Sequence, residues 1–174
     1  MKRLHESNYC QESIDFLLKR SASEIPVDYI STIQSGRMTK YHSESLADWL
    51  FTLAEKANLP SKTAQRAVQL VNNALGKVPI KGLSSLELMG KVCLGLSIKY
   101  EFGGHSGPGE IQKLGNTPFP IEAIIYTEVL LAKTLSWKFD IPTASELLSL
   151  LFENTCERFD YSNLLSQAEL YIKA

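Results

Sequence analysis

Lys99 and Glu128 are the residues of this 174-residue chain whose type and setting most need a chemical reason. Lys99 follows the uncharged run Leu94-Gly95-Leu96-Ser97-Ile98 and precedes Tyr100-Glu101, while Glu128 stands among Ile124, Ile125, Val129 and Leu131. An ion at the edge of an apolar helix is costly to bury alone, so each must reach water, an opposite charge or a partner's polar groups. The plain structural readings are an internal salt bridge or a side chain that snorkels to solvent. The functional reading is recognition, with a cationic donor and an anionic acceptor offered to another molecule. Catalysis has no comparable anchor. His5, His42 and His105 are scattered and read as ordinary surface or loop residues. No nucleophile stands beside a recognisable base, and no carboxylate pair has a useful spacing. The glycines from Gly103 to Gly109 lack the Gly-Lys-Ser/Thr ending of a phosphate loop and follow no strand. Cys10, Cys93 and Cys156 are odd in number, widely spaced and outside any C-x-x-C pair. No metal ligand set and a reducing compartment are therefore expected.

The elements that must hold Lys99 and Glu128 read as helices, because apolar residues recur with helical spacing and proline, glycine and serine interrupt them. From Ser43 the inward stripe is Leu46, Trp49, Leu50, Leu53, Ala54 and Ala57, with Ser43 or Ser45 placed to cap its start. Asn58-Leu59-Pro60 ends it. Ser61 opens a second helix with Ala64, Ala67, Val68, Val71, Ala74 and Leu75 inward, stopped by Gly76 and Pro79. A third, from about Ser84 to Tyr100, is apolar around most of its circumference and belongs in the middle of a bundle. Its Gly90, Gly95 and Ser97 lower helix propensity, which fits a helix that neighbours approach closely. A short fourth helix is expected over Glu110 to Leu114. Pro120 then starts a fifth, with Ile121, Ile124, Ile125, Ala132 and Leu135 on one inward face and Trp137 at its end.

The fold class expected is all-α: five helices around a central apolar third, with flanking helices from Glu12 to Arg20, Ser145 to Phe152 and Ser162 to Ile172. Residues 1–28 read as an N-terminal extension, 29–142 as the bundle, and 143–174 as a C-terminal extension or the start of a truncated second fold. The last segment is too short for a complete second domain, so the chain is expected to be a fragment of a longer protein. A formal net charge of −1 points away from nucleic acid or an anionic membrane as partner. The polar start Met1-Lys2-Arg3-Leu4-His5-Glu6 lacks a signal-peptide core, and no window is apolar for long enough to span a bilayer. A soluble intracellular protein, nuclear or cytoplasmic and without cofactor, is the expectation.

In order and spacing these residues resemble the cyclin box from about Tyr29 to Leu151. The marks are Leu46-Ala47-Asp48-Trp49-Leu50, Ala67-Val68-Gln69-Leu70-Val71-Asn72, and Leu86-Glu87-Leu88-Met89-Gly90 leading to Ser97-Ile98-Lys99-Tyr100-Glu101. They continue in Tyr126-Thr127-Glu128-Val129-Leu130-Leu131, Leu135-Ser136-Trp137 and Ile141-Pro142-Thr143. The resemblance implies a non-catalytic regulatory subunit, with an N-terminal cyclin fold, that activates a cyclin-dependent protein kinase by holding its mobile C-helix inward. Lys99 and Glu128 match the lysine and glutamate with which the family hydrogen-bonds the segment around that helix. Kinase substrates or inhibitors are further partners that it implies. The rival reading is a cyclin-fold scaffold or adaptor that binds transcription machinery or peptides without a kinase. Transcription factors of that fold usually need two repeats and basic surfaces, whereas this chain has one box and a near-neutral charge.

Two departures from the family pattern matter. An arginine before the Asp-Trp pair and its aspartate partner in the second helix are replaced by Ser43 and Asn72, so a neutral contact is expected there. The substrate-docking patch is matched by His42, Ser45, Leu46, Trp49, Thr52 and Glu87. Leu46, Trp49 and Glu87 are the residues carried over as its candidates, but only part of the patch stays apolar, and Trp49 reads as core.

Overall fold

The computed structural model describes residues 12–20, 28–103, 107–115 and 119–155. Among them every regular element is a helix. The chain divides into two compact units, residues 26–141 and the flanks 1–25 with 142–174. In the flanks, residues 12–20 form α1 and Ala144–Thr155 form α7. Glu146 caps α7 by accepting the Thr143 N–H at 2.8 Å, while its own N–H donates to Thr143 Oγ1 at 3.2 Å. The segment expected over Ser162 to Ile172 lies outside the described residues.

Among its described residues the 26–141 unit holds five helices: α2 (Lys40–Lys56), α3 (Ser61–Leu75), α4 (Leu83–Phe102), α5 (Pro108–Lys113) and α6 (Ile121–Thr134). Helix α2 starts earlier than the serines suggested. Thr39 is its N-cap, and the Thr39 N–H donates to His42 Nδ1 at 3.0 Å, so neither Ser43 nor Ser45 caps it. Leu46, Leu50, Leu53 and Ala54 form its buried stripe, whereas Ala57 lies just past the last turn and is exposed. Helix α3 buries Ala64, Ala67, Leu70, Val71, Ala74 and Leu75, with Val68 half-buried at the edge. Gln34, fully buried, ties the turn after α3 to the segment before α2: its Nε2 donates to the Leu75 and Val78 carbonyls, and its Oε1 accepts the Ile80 N–H.

Helix α4 is central, packing against α2, α3, α5 and α6. All residues from Met89 to Ser97 are buried, which follows from an apolar circumference with small residues at the contacts. A Cβ on Gly90 would stand 2.9 Å from a terminal methyl of Leu46, and one on Gly95 would stand 2.7 Å from Cγ1 of Ile111 and overlap its Cδ1. These two glycines let α2 and α5 come against the central helix, as the sequence implied. The Ser97 hydroxyl satisfies itself on the Cys93 carbonyl at 3.0 Å. Gly103, with φ of 75°, closes α4 in the left-handed region, and its N–H returns to the Lys99 carbonyl.

Helix α6 departs from its expected face. Ile124, Leu131, Ala132 and Leu135 are buried, but Ile121 and Ile125 are exposed by 40% and 46%. The inward register therefore runs through Ile124 and Leu131, and Ile121 and Ile125 lie on a neighbouring stripe that faces out. After α6 the chain turns through Ser136 and Trp137, both at positive φ, and the Trp137 N–H bonds the Ala132 carbonyl at 2.8 Å. That turn brings Asp140 and Ile141 back towards the end of α4.

Candidate functional site

The last turn of α4 and the middle of α6 bring Lys99 and Glu128 together. Lys99 Nζ lies 2.5 Å from Glu128 Oε1, and the side chains keep 24% and 21% of their exposure. The opposite charge each needed is thus supplied within the chain, and both side chains remain partly exposed. Lys99 sits where the helix dipole favours a cation. Around Glu128, α6 presents Ile121, Ile125 and Val129 at helical spacing, all exposed, with Tyr126 and Leu130 beside them. Across on α4, Tyr100 and Phe102 are also exposed. A partly buried ion pair beside a patch of exposed apolar side chains results.

Directly behind Lys99 lies a second ion pair that the sequence reading missed. Arg66 of α3, its side chain 1% exposed, holds Nε 3.4 Å from Glu101 Oε1. Its Nη1 donates to the Ile141 carbonyl at 2.7 Å, and its guanidinium lies 4.6 Å from the Tyr100 ring centroid. Thr63 Oγ1 donates to Glu101 Oε2 at 2.7 Å, and the Tyr100 hydroxyl donates to Asp140 Oδ1 at 2.8 Å. The available signal was register: Arg66 is three residues from Thr63 and four from Leu70, both inward positions.

Lys91 was missed as well. It is fully buried in α4, donates to the Gln112 carbonyl at 2.9 Å and lies 5.7 Å from the Phe119 ring. Removal from water pushes its pKa below the ordinary lysine value. Burial likewise raises the pKa of the Cys93 thiol, which makes it a poor nucleophile.

On α2 a groove of about 280 Å³ is lined by Tyr41, His42, Ser45, Leu46, Trp49, Leu83, Leu86 and Glu87. Five of the six residues matched to the docking patch line it together; Thr52 does not. Leu46 and Leu86 are buried as its floor, and Trp49 is half-buried, touching both core and groove. Trp49 is therefore more than core. Glu87 is exposed and supplies the negative charge at the rim.

At the departures from the family pattern, the Tyr29 hydroxyl lies 3.0 Å from Ser43 Oγ and donates to Asn72 Oδ1 at 2.9 Å. Helix α2, helix α3 and the segment before them are joined there by neutral hydrogen bonds. Among the described residues no three of His, Cys, Asp and Glu gather as a metal-ligand group, and no helix is long and apolar enough to cross a membrane. His5, His105, Cys10 and Cys156 lie outside the described residues.

A sequence-family profile described as "Cyclin, N-terminal domain" matches residues 12–140. The chain is 24% identical over 123 residues to a G1/S-specific cyclin-D of Caenorhabditis elegans, a match covering 71% of this chain and 30% of that protein. It is 23% identical over 151 residues to a G2/mitotic-specific cyclin-A of Hydra viridissima, covering 84% and 36% respectively. The chain thus spans about a third of the length of these curated relatives. Among solved structures, a viral cyclin from herpesvirus saimiri superposes with a TM-score of 0.75 at 16% identity, covering 96% of this chain and 69% of the other. That likeness shows a shared fold.

Proposed function

The chain belongs to the cyclin N-terminal domain family, and from that premise we propose that it is a non-catalytic regulatory subunit that binds and activates a cyclin-dependent protein kinase. The observation carrying this reading is the Lys99–Glu128 pair, half-buried between α4 and α6 and rimmed by exposed Ile121, Ile125 and Val129. A kinase needs its strand lysine paired to the C-helix glutamate and its activation loop in place before phosphoryl transfer proceeds. A subunit that binds the helix-in state more tightly shifts the kinase towards it without contributing a group to the reaction. Moving a population from mostly inactive to mostly active takes a difference of about 5.5 kcal/mol between the two states. An apolar face with a central charged anchor is suited to supply it, since desolvated anchors carry most of the binding free energy in such interfaces.

Purification of the tagged chain from its own cells, followed by kinase assay with and without added chain, tests the reading. Recovery of a cyclin-dependent kinase that gains activity with the chain is expected. Recovery of transcription factors or peptides with no kinase would favour the scaffold reading instead.

A second role is favoured by the groove on α2. Its apolar floor at Leu46, Leu86 and Trp49, with Glu87 at the rim, suits a short segment carrying a branched apolar side chain beside a cation. This groove is where substrates or inhibitors of the kinase would be held.

A further inference from the structure

Arg66 joins three parts of the 26–141 unit through one guanidinium: its own helix α3, the last turn of α4 at Tyr100 and Glu101, and the Ile141 carbonyl after α6. We propose that Arg66 is a positioning residue that fixes how Lys99 and Glu128 are presented; this rests on the docking role given to that pair. Lys99 immediately precedes the two residues Arg66 holds, and Glu128 lies on the helix whose outgoing chain ends at the carbonyl Arg66 binds. The planar fork of arginine reaches a carboxylate and a carbonyl while its face lies against an aromatic ring, which a lysine ammonium cannot do at once. Thr63 and Asp140 hold the outer ends, on Glu101 and on the Tyr100 hydroxyl. Without the guanidinium, the end of α4 would keep its Gly103 cap and the peripheral Thr63 and Asp140 hydrogen bonds, but lose the ion pair to α3, the ring contact at Tyr100 and the link to the Ile141 carbonyl. Lys99 would then sample several placements, and a partner would have to select one of them at a loss of affinity.

Removing Arg66 alone leaves the Glu101 carboxylate buried without its cation, a change that can unfold the chain outright. The test therefore uses Arg66→Met/Glu101→Gln, which removes both charges while leaving an acceptor for Thr63, together with Arg66→Lys. Amide hydrogen exchange is measured on the free chains, and affinity for the co-purifying kinase is measured well below the melting temperature. The double variant is expected to melt cooperatively and to exchange at Tyr100, Glu101 and Phe102 at least about tenfold faster than wild type, with Leu70 to Ala74 in α3 unchanged. Its kinase affinity is expected to fall about tenfold, with Arg66→Lys in between. Lys99→Ala, costing about tenfold or more in the parent chain, should cost less than about threefold in the variant, because a wandering Lys99 no longer contributes. Wild-type exchange at the end of α4 overturns the proposal whatever the kinase does. Wild-type affinity of the double variant, or an unchanged cost of Lys99→Ala within it, overturns the positioning role. Lys99→Ala without effect in the parent chain overturns the docking reading itself, and the positioning role with it.

Discussion

Exchanging the two charges, as Lys99→Glu/Glu128→Lys, separates an internal salt bridge from a docking anchor. Each single reversal sets two like charges where a pair now stands 2.5 Å apart, with side chains 24% and 21% exposed. A fully exposed pair is worth about 0 to 1 kcal/mol, and breaking a buried one costs about 3 to 5 kcal/mol. At this intermediate exposure a loss of about 1 to 2 kcal/mol is expected for either single variant. For a chain of this size that lowers the melting temperature by about 2 to 8 °C, at roughly 2 to 4 °C per kcal/mol. The exchange variant rebuilds the pair with its ends inverted, so its melting temperature should return to within about 2 °C of wild type. Kinase binding should not return with it. A partner that reads a cation from α4 and an anion from α6 meets the opposite arrangement, and a loss of at least about 2 kcal/mol, or roughly thirtyfold, is expected in all three variants. Thermal melts followed by circular dichroism give the first quantity, and calorimetric titration with the kinase gives the second. An exchange variant that recovers stability and also binds like wild type would refute the docking role and leave the pair as internal structure.

Leu96, buried in the central helix with 6% exposure, should cost about 2 to 5 kcal/mol when truncated to alanine, and a denaturation midpoint equal to wild type would show that it is not core. Gly95→Ala should lower stability by about 1 kcal/mol in urea titrations: overlap with Ile111 costs about 1 to 3 kcal/mol, more than the roughly 1 kcal/mol gained in helix propensity. A more stable Gly95→Ala chain would mean that α5 shifts freely. Lys91 has its folded pKa lowered by burial, so the unfolded chain binds more protons between that lowered value and the ordinary value of 10.5. Its contribution to stability must therefore rise with pH across that window, while buried Cys93, its pKa raised from the ordinary 9.0, lowers stability in both chains above that value. The wild-type midpoint minus that of Lys91→Met should accordingly increase from pH 8 to 10.5, and a constant difference would show that Lys91 does not titrate this way.

The bundle was legible because periodicity reports burial directly. From Met89 to Ser97 every residue but Lys91 is uncharged, which leaves little choice but a central helix, and its glycines marked close approach by neighbours, which are α2 and α5. Periodicity misled at α6, where Ile121 and Ile125 fit an inward stripe but lie exposed beside Glu128. An apolar stripe satisfies the same pattern whether it meets the chain's own core or faces outward as an uncovered patch, and sequence spacing cannot distinguish the two. Arg66 and Lys91 escaped for the opposite reason. Buried charges contradict the pattern, and their partners, the Ile141 and Gln112 carbonyls, lie 75 and 21 residues away in sequence. The groove residues were named from the family pattern, but only the contact between α2 and α4, which brings Leu83 and Leu86 beside Leu46 and Trp49, turns them into a concave surface.

A closed Lys99–Glu128 pair is compatible with an anchor, because pairing leaves most of its hydrogen-bonding capacity unused. An ammonium has three donors and a carboxylate about four lone-pair sites, and their mutual contact takes one of each. The remaining donors of Lys99 can meet backbone carbonyls of a docked segment while the second oxygen of Glu128 accepts a backbone N–H. Pairing also fixes both side chains before the partner arrives, so less rotamer freedom is lost on binding than for two free, long side chains. Once Ile121, Ile125 and Val129 are covered, water leaves the rim and the pair's field strengthens, which favours a partner whose backbone dipoles match it. The same half-burial that makes the pair a modest contributor to the free chain's stability would therefore make it an effective discriminator in the proposed complex.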